Sequence, residues 1–322
     1  MTPALSVVVV SWNGCDVLRT CLASVALHLP ADAHECLVVD NASSDGAPAM
    51  VEAEFPTVRV LRQTTNLGFG RGCNVGMRAA RGRTVLLLNS DTALVDDGVL
   101  RLAERLEHDP HVGVAGPRLV LDDGRPQPSA RRFPSLAGLL LSELRLHRLL
   151  PRAAAADLLL GPYWDHAAER EVDWVVGAAM LVRHDVFAAT GGFDERFFLY
   201  GEEVEWCRRI RAAGWTVLFS PAAEVRHVGH HSTDRLLGAV GRVDRCLLAE
   251  DRLLSRWNGR AAGAAAGAIR VTGAGLRLAG FCVRAALGRD DAYGRATRAE
   301  ARLVLDHYRR RWAGRLPAEV TT

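Results

Sequence analysis

The sequence predicts an α/β fold with a mostly parallel sheet. Short apolar runs alternate with stretches of helical spacing through the first 120 residues, and polar residues capable of chemistry gather just beyond the apolar runs. The 322 residues are 49% hydrophobic and 24% charged, a balance that supports a sizeable core in one large domain or two and excludes a disordered chain.

Leu5–Ser11 reads as the first strand, a run without charge. Residues 16–28 follow with Val17, Cys21, Leu22 and Val25 at helical spacing. Residues 36–39 form a second strand ending at Asp40, and 58–61 a third. Residues 70–80 read as a helix despite their glycines, 84–88 as the fourth strand and 96–108 as another helix. From about Arg125 the pattern is less regular, interrupted by Pro126, Pro128 and Pro134. Residues 136–150 make a Leu-rich amphipathic helix and 174–182 a buried strand containing a glycine. Residues 202–213 make a helix closed by Gly214, and 215–219 a further strand.

In an open α/β sheet, ligands bind beyond the carboxyl ends of the strands. Asn89-Ser90-Asp91 stands there after residues 84–88, and Asp91 could hold a hard divalent cation; taken alone, the triplet reads equally well as a cap for the next helix. Asp40 could accept hydrogen bonds from a base or a ribose, or close an Asx- and Ser-rich turn. Residues 66–76 combine glycines with a helix start, where phosphate could approach; this is not the dinucleotide fingerprint, because it does not follow the first strand. A fourth cluster, residues 197–209, contains Glu202 and Glu203 and is followed by Glu224-Val225-Arg226-His227.

The charge is uneven. All 40 basic residues are Arg and the net charge is +3, yet from Ala261 onward 11 Arg stand against five acids. Arg270, Arg277 and Arg284 recur every seven residues between apolar side chains, the pattern of a basic amphipathic helix. It reads as a helix that could lie on an anionic membrane surface, or as an ordinary solvated Arg face or a partly disordered extension. Seven scattered Cys without metal-ligand spacing point to a reducing, cytoplasmic compartment. No signal peptide and no uninterrupted apolar run of membrane-spanning length are expected.

In order and spacing, residues 7–13, 38–46, 66–76, 86–92, 127–134, 173–180, 191–208 and 227–232 resemble the family 2 glycosyltransferases of GT-A fold, most of all their rhamnosyltransferase-like members. The resemblance implies a Rossmann-like sheet flanked by helices. Residues 1–124 would form the nucleotide-sugar-binding half, 125–235 the acceptor-binding half and 236–322 a helical, basic C-terminal extension. It implies inverting transfer of a sugar, rhamnose foremost, from a dTDP or UDP sugar to a glycan or lipid-linked acceptor, as in cell-wall polysaccharide synthesis, with no nucleic-acid partner. Donor contacts fall to Ser11, Asn13, Asp40, Asn66, Gly68, Arg71, Asn74, Asn89 and Asp91, with Arg71 toward the phosphates. Trp174, Gly177 and Ala178 would border the acceptor, and Asp91 and His227 would hold Mg²⁺ or Mn²⁺. His230 and His231 lie off the family pattern. The base would be Glu203, where the family has Asp, with Glu202 as the alternative; acids in a first helical turn also simply complement its dipole. Asn89 stands where the family has an acid, which leaves the metal site one negative charge short. A nucleotidyltransferase and a non-catalytic nucleotide-sugar-binding protein are the alternatives. A lipid-linked acceptor would suit a peripheral position on the inner face of the cell membrane.

Overall fold

The computed structural model describes residues 3–228 and 231–316, so His230 and the side chain of His231 lie outside it. The chain divides into two compact units, Met1–Phe133 with Leu160–Leu236, and Pro134–Leu159 with Leu237–Thr322. The helical unit therefore starts close to the expected boundary but also takes residues 134–159 from the stretch expected to be the acceptor half.

The first unit opens with β1 (Leu5–Ser11), α1 (Cys15–His28), β2 (His34–Asp40), α2 (Ala47–Glu54), β3 (Arg59–Arg62), α3 (Phe69–Ala79), β4 (Thr84–Asn89), β5 (Thr92–Leu94), α4 (Gly98–His108), β6 (Val112–Val120), β7 (Pro126–Gln127) and β8 (Ala130–Arg131). After α5 (Leu136–Glu143) and α6 (Arg152–Leu159), which belong to the second unit, it resumes. There follow β9 (Arg170–Val172), β10 (Trp174–Val175), β11 (Ala179–Arg183), α7 (His184–Thr190), α8 (Glu202–Ala212) and β12 (Thr216–His227).

The main sheet runs in the order β3-β2-β1-β4-β11-β6-β12-β5, with β7 added beside β6 and β9 beside β12. Strands β1 to β4 are mutually parallel, β11 is antiparallel to its neighbours, and β12 is parallel to β6. Period-2 alternation explains how one uncharged run serves two cores. Leu5, Val7 and Val9 pack with Leu18, Leu22, Leu102 and Leu106 on one face, while Val8 and Val10 pack with Cys73, Met77 and Trp206 on the other. Helix α3 lies so close to β1 that a Cβ on Gly76 would overlap the Val8 side chain. Part of the glycine pattern that suggested phosphate approach therefore serves helix-on-sheet packing.

Three elements differ from expectation. Residues 174–182 are not one strand: β10 pairs with β8 in a separate ribbon, β11 joins the main sheet, and residues 176–178 between them turn into a cavity wall. A helix over 136–150 breaks at Arg145, whose φ of 58° is left-handed, and continues only as a short 3₁₀ turn. Strand β12 continues past Pro221 to His227 because a register shift between Ser220 and Glu224 lets its second half pair with β5. A proline inside an apolar run argues against a continuous strand, and the bulge is what accommodates it.

The second unit is completed by α9 (His231–Asn258), which breaks at Gly238 (φ 61°), and by α10 (Arg260–Ala286) and α11 (Ala292–Trp312). The three spaced arginines do not form one solvated basic face. Arg270 is 1% exposed and ion-paired with Asp251 and Glu250, with its guanidinium 3.1 Å from the Tyr308 hydroxyl. Arg277 pairs with Glu143 of α5 at 2.7 Å, and Arg284 lies over the Phe281 ring. Long cations carried on an otherwise small-residue helix are drawn to the acids of the helices packed against it. The outward face of α10 is mostly apolar, with Ala264, Ala268, Thr272, Leu276 and Val283 exposed and Arg284 exposed near its end. One 18-residue stretch of α10 reaches a mean hydropathy of 1.2 with a third of it buried. By length and composition this helix could cross a bilayer, contrary to the expectation of none, but its buried and paired arginines fit a packed helix.

Candidate active site

A cavity of about 180 Å³ opens at the carboxyl ends of β1 and β4. Each wall follows from local structure. Val10 and Trp12 come from the end of β1, Asn41 follows β2, and Asn89-Ser90-Asp91 follows β4. Residues 176–178 bring Gly177 and Ala178, and residues 198–200 lead into Glu202 and Glu203 at the start of α8.

At one end, strand pairing sets the metal-ligand candidates. His227 stands opposite Thr92 in the β12–β5 ladder, which brings it beside Asp91, and Val228 donates its amide to the Asp91 carbonyl at 3.0 Å. Both side chains are buried, and His227 Nε2 lies 3.4 Å from Asp91 Oδ1. Nδ1 of the same ring is 2.8 Å from Gln127 Oε1, an acceptor, so Nδ1 carries the proton and Nε2 presents a lone pair. That buried Nε2 has no hydrogen-bond partner. Two lone-pair-bearing atoms facing each other this closely suit a cation between them. Among the described residues no group of three or more His, Cys, Asp or Glu side chains is placed to hold a metal. Two protein ligands agree with Mg²⁺- or Mn²⁺-type binding, in which phosphate oxygens and water complete the shell.

At the other end, Glu202 is 2% exposed and Glu203 is half-buried; each has a carboxylate oxygen without a partner. Burial pushes the Glu202 carboxyl well above its ordinary value, and the adjacent Glu203 charge adds to this. Burial raises Glu203 as well, but the Arg131 charge and the backbone amides of Gly201 and Gly177 oppose the rise. Of the two, Glu203 is therefore the one that ionises more readily. Glu205, the third acid of that first turn, is paired with Arg209 at 2.8 Å and turned away from this role.

Of the expected donor contacts, Asn66, Gly68, Asn89 and Asp91 line the cavity. Gly68 is required by the turn: its φ is 82°, and a Cβ would overlap the Phe198 carbonyl oxygen, which accepts the Phe69 amide at 3.0 Å. The other donor candidates do not reach the wall. Arg71 donates through Nε to the Glu195 carbonyl at 2.8 Å, and its side chain is 48% exposed outside the cavity wall. Asn74 is buried and staples Phe193 by a 2.9 Å bond in each direction. Asp40 accepts the Ser43 amide at 3.3 Å, which is the turn reading of that acid, and its neighbour Asn41 faces the cavity instead. Asn13 (φ 50°) accepts the Ser44 amide at 2.8 Å, and Ser11 is buried at the end of β1. For the acceptor side, Gly177 and Ala178 line the cavity, whereas the Trp174 indole donates to the Arg132 carbonyl at 2.9 Å away from it. Trp12, Asn41, Phe69, Gln127, Phe198 and Tyr200 also line the cavity; they lie within the quoted motifs but carried no individual role in the sequence reading.

A Rossmann-like sheet whose strand ends gather an acid, a histidine and paired glutamates defines an α/β transferase of GT-A fold. A solved mannosyltransferase from Pyrobaculum calidifontis, in complex with GDP-Man and Mn²⁺, superposes with a TM-score of 0.60 at 16% identity, over 98% of this chain and 89% of that one. The family described as Glycosyl transferase family 2 matches residues 6–157. A Mycobacterium tuberculosis protein named N-acetylglucosaminyl-diphospho-decaprenol L-rhamnosyltransferase is 32% identical over 259 residues, covering 73% of this chain and 79% of its own. Rhamnosyltransferase WbbL of Escherichia coli is 27% identical over 175 residues, 51% of this chain and 62% of that protein. The chain belongs to glycosyltransferase family 2, which sets aside the nucleotidyltransferase and non-catalytic alternatives.

Proposed function

We propose that this protein is an inverting glycosyltransferase that moves a sugar, rhamnose foremost, from a dTDP or UDP sugar to a hydroxyl of a glycan or lipid-linked acceptor. The carrying observation is that one cavity is lined by both Asp91 and His227 and by Glu202 and Glu203. The rhamnosyltransferase names of two relatives support the sugar, and the polyprenol-linked substrate in one of those names supports the acceptor class.

Chain residues account for the proton and the orientation. Glu203 takes the acceptor proton as the acceptor oxygen bonds to the anomeric carbon and the nucleoside diphosphate departs from the opposite face. Glu202, whose carboxyl burial pushes well above its ordinary value, lies beside that carboxylate in the first turn of α8. Phe69 and Tyr200 supply aromatic wall to the same cavity. Asp91 and His227 would hold Mg²⁺ or Mn²⁺, which when bound neutralises charge growing on the leaving diphosphate.

A peripheral position at the membrane belongs to the same reading. Its support is the apolar side chains exposed on α10, Leu276 and Val283, with Leu287 just beyond its end. Incubation with dTDP-rhamnose, UDP-sugars and a polyprenyl-diphosphate-linked sugar, with product analysis by mass, tests the proposal. Transfer with inverted anomeric configuration is expected. Transfer with retention, or turnover only with unrelated donors, overturns it.

A further inference from the structure

Gln127 contacts the candidate metal ligand from behind, and its place is fixed by register. In the β6–β7 ladder Gln127 stands opposite Leu119, and in the β6–β12 ladder Leu119 stands opposite Val225. His227 follows Val225 by two residues, so Gln127 and His227 share one face of the sheet. Gln127 Oε1 accepts from His227 Nδ1 at 2.8 Å, and the side chain also reaches the cavity wall. We infer that Gln127 is a positioning residue for the metal end of the site: by accepting the Nδ1 proton it fixes the tautomer and ring orientation that leave the buried Nε2 lone pair aimed at the space beside Asp91. An imidazole released from that acceptor can place its proton on Nε2 and lose the ability to ligate. Hydrogen bonds behind a ligating histidine typically change metal affinity by about 10–100-fold when removed. This inference rests on the proposed role of Asp91 and His227, and its test separates the two.

The test measures Mn²⁺ affinity of the full chain by electron paramagnetic resonance with UDP, and separately dTDP, present, without turnover. Gln127→Leu removes the acceptor and should weaken Mn²⁺ binding by about 10–100-fold. Gln127→Glu keeps an oxygen acceptor for Nδ1 and should retain affinity within about threefold of wild type or better. Circular dichroism and thermal unfolding of each variant report whether it is folded. A folded Gln127→Leu that binds Mn²⁺ like the wild type, while Asp91→Ala does not, overturns the positioning role and leaves the metal reading standing. Should Gln127→Leu misfold, equal loss in a folded Gln127→Glu overturns the role just as directly, because the acceptor is then present without effect. If Asp91→Ala and His227→Ala both bind Mn²⁺ normally, the metal reading itself falls, and this inference with it.

Discussion

At the residue scale, the two ends of the cavity make separable demands. Asp91→Ala removes the one carboxylate beside His227 Nε2 and should lower turnover by about 10²-fold or more, because the departing diphosphate keeps uncompensated charge. Excess EDTA should do the same to the wild type; full activity in its presence refutes the assignment. Glu203→Gln keeps shape but cannot take a proton, so kcat should fall by about 10²–10⁴-fold with donor binding little changed. Glu202→Gln should be milder, since Glu202 is the more deeply buried of the two carboxyls and burial disfavours its charged, proton-accepting form. A reversed order of the two effects would move the base to Glu202.

The pH dependence follows with a definite sign. Burial raises the Glu203 carboxyl above the ordinary glutamate value of about 4.3, so kcat should rise with pH through that elevated value, and its acid limb should lie above the usual carboxylate range. The same elevation acts on stability. A carboxyl whose folded pKa exceeds its unfolded value binds more protons when folded, so its contribution to stability is present below about pH 4.3 and is lost as pH rises through the folded value. Glu202→Gln should therefore raise unfolding stability at neutral pH and flatten its pH dependence, as denaturant titrations at several pH values would show.

At the element scale, helix α10 carries Arg270 and Arg277 inward. Arg270→Leu would remove one of the two arginines paired with the buried Asp251, which keeps Arg311 and the Tyr308 hydroxyl, and should lower the unfolding midpoint. Such a substitution cannot report on membrane attraction, because it tests the packing of α10 against α9 and α11. The outward residues Leu276, Val283 and Leu287 can report on it. Changing all three to Ser should weaken sedimentation with vesicles while leaving the unfolding midpoint nearly unchanged, and high salt should not abolish the wild-type signal, since these contacts are apolar. Unaltered vesicle binding by that triple variant would withdraw the peripheral reading.

At the scale of the whole molecule, the two units draw on the sequence differently. The first unit follows its pattern closely: β1 spans the expected Leu5–Ser11, and β4 ends where the polar triplet begins. Buried strands of a mostly parallel sheet are legible because local period and apolar run length fix them. The helical unit is assembled from two stretches far apart in the chain, joined by contacts such as Glu143 to Arg277. A chain ending at Asn258 would leave the apolar side of α5 without α10, and should show a lower unfolding midpoint and a tendency to associate in size-exclusion chromatography.

The sequence by itself determined the alternating fold and the family, and it pointed to Asp91, His227, Glu202 and Glu203, which line the cavity, because these lie in local motifs whose order and spacing survive in one dimension. Only the tertiary structure decided which polar residues face the cavity. Arg71, Asn74 and Asp40 carry the right chemistry but spend it on Glu195, Phe193 and Ser43, contacts in which their own hydrogen-bonding capacity is used within the fold. Gln127 joins His227 across β6, a relation set by strand register between residues 100 positions apart. The inward turn of Arg270 and Arg277 was likewise undecided by their spacing. A seven-residue repeat says which side chains share a helix face, and only the acids on the helices packed against it say whether that face meets water or protein.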